Sequence, residues 1–177
     1  MGRFVNPDNS AFQVALNSKI YVDKTGLIEK TNEVLDTRQK FLCVSRPRRF
    51  GKSMAADMLA AYYERGEDSA ELFGTLKISK VESYEKNRNQ YDIIKVNMQE
   101  FLSMTHSMDE MLSMLQKYLI FDLTDHFDNV RFRDENNLIQ VMKDIYSKTK
   151  HSFVILIDEW DCLFREYQQD QEGQKKY

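Results

Sequence analysis

The stretch Phe41-Leu42-Cys43-Val44-Ser45-Arg46-Pro47-Arg48-Arg49-Phe50-Gly51-Lys52-Ser53 decides how the 177-residue chain is read. An apolar, strand-favouring run, Phe41–Ser45, leads into a basic turn. Gly51-Lys52-Ser53 then opens an amphipathic segment carrying Met54, Ala55, Met58, Leu59 and Tyr62 at helical spacing through to Arg65. A strand, a tight turn and a helix start in this order gather backbone N–H groups into one concavity, with the helix dipole behind them. An anion such as phosphate belongs there.

The side chains suit that anion. Gly51 permits close backbone approach, Lys52 can reach terminal phosphates, and the Ser53 hydroxyl can face Mg²⁺. The phosphate-loop pattern also asks for a glycine five residues before Gly51, and Arg46 stands there instead. An L-residue fits that position only where the backbone angles suit it. The bland alternative is a basic surface loop ahead of a helix.

A second motif lies more than a hundred residues on. Phe153-Val154-Ile155-Leu156-Ile157 is a continuous apolar run ending in Asp158 and Glu159. Such a run predicts a central parallel strand covered on both faces, with ligands at its carboxyl end. Asp158 would hold the Mg²⁺ shell through water. Glu159 would orient and deprotonate an attacking water, a role worth about 10²–10⁴-fold in rate. Read alone, the motif is a strand before an acidic turn; the two motifs in this order point to one nucleotide site. A glutamate after the aspartate marks the branch that includes AAA-like ATPases. No guanine-specifying Asn-Lys-x-Asp run occurs, which favours ATP over GTP.

Around these motifs the chain alternates short apolar runs with amphipathic stretches, predicting an α/β fold. Further strands are expected at Asp92–Met98, with an extended piece at Ile20–Val22. Ser107 and Glu110 form a capping box ahead of the stripe Met108, Met111, Leu112, Leu115 and Leu119. Leu138, Val141, Met142 and Ile145 mark another helix, and Lys80–Gln90 reads as a surface connection. The tail from Glu166 to Tyr177 has no apolar period, and Asp161 is expected as a helix cap or near the metal.

Composition narrows the class. Hydrophobic residues make up 42% and charged ones 30%, enough for a core in a single domain. A net charge of −3 argues against a globally basic nucleic-acid binder, though not against a local patch. The run at 153–157 is far short of the ~20 residues of a membrane span, and the amino terminus lacks a secretory apolar region. Cys43 and Cys162 are expected to be reduced core residues in a cytoplasmic protein. His106, His126 and His151 share no metal-ligand spacing.

With these residues in hand, the chain resembles the predicted AAA-ATPase-like family often fused to a nuclease-like domain. The resemblance rests on Tyr21-Val22-Asp23-Lys24-Thr25, Arg46-Pro47-Arg48-Arg49-Phe50-Gly51-Lys52-Ser53, Glu71-Leu72-Phe73-Gly74 and Ile157-Asp158-Glu159-Trp160-Asp161. It implies a P-loop NTPase-type parallel sheet flanked by helices, with Arg46 at the first-glycine position as a family habit. It also implies nucleotide contacts from Arg46, Pro47, Arg48, Arg49, Phe50, Gly51, Lys52, Ser53 and Met54. Ser53 and Asp158 would serve Mg²⁺, and Lys52 and Glu159 catalysis. Tyr21–Thr25 would border the base or ribose.

Members of that family are usually longer. The expectation is therefore one domain over 1–177, incomplete beyond the strand that ends in Asp158 and Glu159, the Walker B pair of that family, with a vacant place in the sheet beside Phe41–Ser45. ATP and Mg²⁺ are the expected cofactors, with hydrolysis in the complete protein and binding without turnover as the alternative. A second copy or a carboxy-terminal nuclease-like domain is the expected protein partner. Arg38, Lys40, Arg46, Arg48, Arg49 and Lys52 supply more positive charge than phosphate needs. The surplus admits nucleic acid as a partner without indicating it, and pairing with acids of the same chain is the plainer reading.

Overall fold

The computed structural model describes residues 2–45, 47 and 49–166. Arg46, Arg48 and the tail at 167–177 lie outside the described residues. The chain divides into two compact units, and the boundary falls between Ile93 and Ile94.

The unit Asn6–Ile93 is helical and built on aromatic packing. It contains α1 (Ser10–Leu16), α2 (Gly26–Val34), α3 (Lys52–Tyr63), α4 (Ala70–Phe73), a 3-10 helix (Lys77–Lys80) and α5 (Ser83–Asn87). The last six residues of α3, Met58 to Tyr63, are all buried. Phe73 stacks on Phe12 with ring centroids 5.0 Å apart and meets the Tyr62 ring edge-on at 5.5 Å. Buried tyrosines need a partner for each hydroxyl. The Tyr62 hydroxyl donates to the Tyr84 carbonyl at 2.6 Å, and that of Tyr63 to Asn32 Oδ1 at 2.7 Å. Burial pushes the Tyr62 phenol up to about 12 and Tyr63 further in the same direction. Both stay neutral donors.

The second unit comprises residues 2–5 and 94–166. Its sheet is β1 (Asp92–Asn97), which begins in the first unit, paired with β2 (Phe153–Asp158). The two strands run parallel and helices flank them, an α/β arrangement. Between and after them come α6 (Met98–Ser103), α7 (Met108–His126), α8 (Leu138–Thr149) and α9 (Cys162–Glu166). Ile94, Val96, Phe101, Met111, Leu123, Val141, Ile145 and Cys162 are among its buried core. Side-chain caps start three of these helices: Asn97 accepts from Gln99 N, Ser107 from Glu110 N and Asn137 from Gln140 N. The reciprocal arm of the expected capping box reaches one residue further, because the Glu110 carboxylate accepts from His106 N at 2.8 Å.

Several expectations are corrected. Phe41–Ser45 forms no strand; Phe41 is 88% exposed, and Leu42, Val44 and Cys43 are exposed too. A strand exists through its ladder, and among the described residues the sheet contains β1 and β2 alone. Cys43 is therefore a surface thiol, whereas Cys162 is buried as expected. Ile20–Val22 likewise pairs with no strand. β2 is not covered on both faces. Ile155 and Ile157, which share a face by the two-residue strand period, are each 51% exposed. Lys80–Gln90 is more than a surface connection, since it carries α5 with Tyr84 and Asn87 buried. No described helix is long and apolar enough to cross a membrane.

Candidate functional site

The expected site residues fall in both units. The described loop residues up to Met54 lie in the unit Asn6–Ile93, and Asp158 and Glu159 in the other; Arg46 and Arg48 lie outside the described residues. Each half is built by its own local geometry.

In the loop half, Arg49 (φ 67°) and Gly51 (φ 77°) both take left-handed backbone conformations around Phe50. For Arg49 this is an uncommon conformation, while glycine adopts it freely. Gly51 is the N-cap of α3, and Lys52 is the first helical residue. A left-handed residue followed by a right-handed one turns the N–H groups of Gly51, Lys52 and Ser53 into a single concavity. The first amides of any helix lack intrahelical partners. Here the N-cap residue, Gly51, makes no side-chain cap bond, and the first turn of α3 contains no acidic residue. The positive end of the helix dipole is thus uncompensated by its own first turn. Lys52 and Met54 are half-buried, while Phe50 and Ser53 are exposed. Pro47 is exposed as well.

The loop touches the Tyr21–Thr25 segment. Lys24 Nζ donates to the Phe50 carbonyl at 2.6 Å. The same atom stands 2.7 Å from where a Cβ on Gly51 would sit; the flexible lysine end can move aside, so it is the left-handed φ that favours glycine here.

In the carboxylate half, β2 delivers Asp158 and Glu159 at its end, as the apolar run predicts. Asp158 Oδ1 accepts from Glu159 N at 2.9 Å, which fixes the aspartate at the strand terminus. Glu159 turns left-handed (φ 52°), and its carbonyl accepts from Cys162 N at 2.9 Å to begin α9. That conformation costs a non-glycine residue about 1 kcal/mol or more. The Glu159 carboxylate is not alone. Arg165 Nη2 donates to its Oε2 at 2.8 Å and lies 3.4 Å from Gln99 Oε1, while Nη1 reaches Asp161 Oδ2 at 3.2 Å. Hydrogen bonding to Glu159, above all, raises the Arg165 guanidinium beyond its ordinary value. Asp161 therefore acts as the partner of Arg165, a role the sequence reading did not give it. The donors Ser53 and Asp158 are hard oxygens, the type that suits Mg²⁺ with retained waters.

Arg165 and Gln99 escape sequence reasoning, and so does the contact that Lys24, within the expected Tyr21–Thr25 motif, makes with the loop. Asp161 and Arg165 are spaced by one helical turn, so their pairing had a legible signal. The reach of Lys24 over twenty-six positions to Phe50 had none.

No match was found among curated proteins or among solved structures. The family model described as "Predicted AAA-ATPase" matches residues 10–177, which takes in the loop, the strand-end carboxylates and both accessory motifs. The chain belongs to the AAA-ATPase-like family.

Proposed function

We propose that the chain is the ATP-binding domain of a P-loop ATPase. Its loop at 46–53, with Met54, holds the triphosphate, and Asp158 and Glu159 complete the site. The observation that carries this reading is the junction at Gly51 and Lys52. A left-handed glycine there opens an uncapped, acid-free helix end whose first side chain is a lysine.

Within that reading each group has a defined task. The N–H groups of Gly51, Lys52 and Ser53 receive phosphate oxygens, and the Lys52 ammonium neutralises the terminal ones. Ser53 and Asp158 would hold Mg²⁺, which would offset the charge of the phosphate oxygens. Glu159 orients a water and takes its proton as the water oxygen bonds to the γ-phosphorus. The bond from that phosphorus to the bridging oxygen breaks, leaving ADP and phosphate. A carboxylate has two oxygens, so Arg165 on Oε2 leaves the other to accept that proton.

A second reading is favoured by the same ion pair. With Glu159 held by Arg165, the domain would be a nucleotide-gated binding module that does not turn over, its arginine cluster meeting nucleic acid. Titration calorimetry with ATP and Mg²⁺, followed by a phosphate-release assay, separates the two. Binding with release supports the ATPase, and binding without release supports the module. Lys52→Ala is expected to weaken ATP binding about 10–100-fold, the range for a hydrogen bond to a charged group. Unchanged affinity in that variant would remove Lys52 from the site.

A further inference from the structure

Lys24 has no task in the reading above, yet its surroundings are highly organised. Asp23 Oδ1 accepts from Thr25 N at 2.9 Å and from Thr25 Oγ1 at 2.6 Å. Asp23 Oδ2 accepts from Lys77 N at 2.8 Å, and Thr25 Oγ1 from Ile78 N at 3.1 Å. Thr25 is fully buried and is the N-cap of α2. Both neighbours of Lys24 are thus tied to the 3-10 helix at Lys77–Lys80. The lysine itself is exposed and spans to the loop, where its ammonium meets the Phe50 carbonyl at 2.6 Å.

That bond acts on one peptide unit. The described chain has no cis peptide, and in a trans unit the C=O and N–H point in opposite directions. Drawing the Phe50 oxygen towards Lys24 therefore turns the Gly51 N–H away from Lys24. A flipped unit would instead aim a carbonyl oxygen at an incoming phosphate, which repels it. Glycine takes positive and negative φ about equally readily, so the Phe50–Gly51 unit is free to flip. It is also the unit that Lys24 grips.

We propose that Lys24 is a positioning residue for the phosphate cradle, pinning the Phe50–Gly51 peptide so that the Gly51 N–H faces the anion before nucleotide arrives. The inference rests on reading this loop as the nucleotide site. Preorganised donors avoid the cost of reordering on binding. The ammonium does not touch phosphate in this account; it acts through the backbone.

The test uses Lys24→Met, which keeps the length of the side chain without its charge, and Lys24→Arg, which restores a donor. ATP affinity is measured by calorimetry in the intact protein, alongside the amide resonance of Gly51 without nucleotide. Lys24→Met is expected to weaken ATP binding about tenfold, the scale of one charge-assisted hydrogen bond. Its Gly51 amide is expected to shift and broaden in the nucleotide-free protein. Lys24→Arg is expected to recover much of both.

An unperturbed Gly51 amide in Lys24→Met, with weakened ATP binding, would show a lysine that contacts phosphate directly and would overturn the positioning role. Equal ATP affinity in the wild type and Lys24→Met would overturn it as well, while leaving the nucleotide site standing. A wild-type protein that binds neither ATP nor inorganic triphosphate would remove both.

Discussion

The Arg165 guanidinium donates to the Glu159 carboxylate at 2.8 Å while Asp161, one helical turn before it, holds the other nitrogen at 3.2 and 3.3 Å. One arginine thus bridges two carboxylates where β2 gives way to α9. The site's candidate base is fixed by a residue of the next helix.

A bridge of this kind holds the Glu159 side chain in one rotamer. Arg165→Ala is therefore expected to lower kcat about tenfold, the scale of one hydrogen bond to a charged group. ATP affinity should stay unchanged, because the proposal assigns the triphosphate to the loop. Steady-state kinetics and calorimetry on the same preparation check this. A rise in kcat would mean that Arg165 restrains Glu159 and does not position it.

Asp23 gives a pH prediction. Desolvation, the largest single influence, pushes its carboxyl up. The opposing bonds from Thr25 Oγ1, Lys77 N and Thr25 N, with the Lys77 charge, outweigh it and leave the group below 3.8. A depressed folded value contributes stability that is present above the unfolded pKa and lost as pH falls through the folded one. Urea unfolding should thus show Asp23→Asn less stable than wild type at pH 7, with the gap closing below about pH 4. A gap that holds constant on acidification would show that ionised Asp23 does not stabilise this anchor.

Phe73, from the accessory motif Glu71–Gly74, is fully buried between Phe12 and Tyr62. Phe73→Ala is expected to cost about 3–5 kcal/mol in denaturant unfolding, the range for deleting a buried aromatic ring. ATP affinity measured below the unfolding transition should be unaffected. A loss of affinity in folded protein would give this motif a part in binding as well as in packing.

Much of the architecture was legible in the sequence wherever one element carried its own signal. The strand at Asp92–Asn97, the stripe from Met108 and the helix opening at Lys52 all follow from periodicity and caps. Phe41–Ser45 shows the limit. Its composition favours a strand, yet pairing is a property of two segments, and nothing in the run itself supplies the partner. β2 fails in part for the same reason: an apolar run says that burial is favourable, not which faces are covered. At the candidate site, Gly51, Lys52, Asp158 and Glu159 could be named from type and spacing. The contacts of Lys24 and Arg165 could not be named, because they are made to a backbone oxygen and a carboxylate that only folding brings near.

The proposal that Lys52 and Glu159 serve one triphosphate is tested most directly by Glu159→Gln. Calorimetry with ATP and Mg²⁺, paired with phosphate release from the same samples, should show wild-type affinity within about twofold, since the amide keeps the shape. Turnover should fall by at least about a hundredfold. Hydrolysis by Glu159→Gln at the wild-type rate would contradict the account and take the strand-end glutamate out of the mechanism.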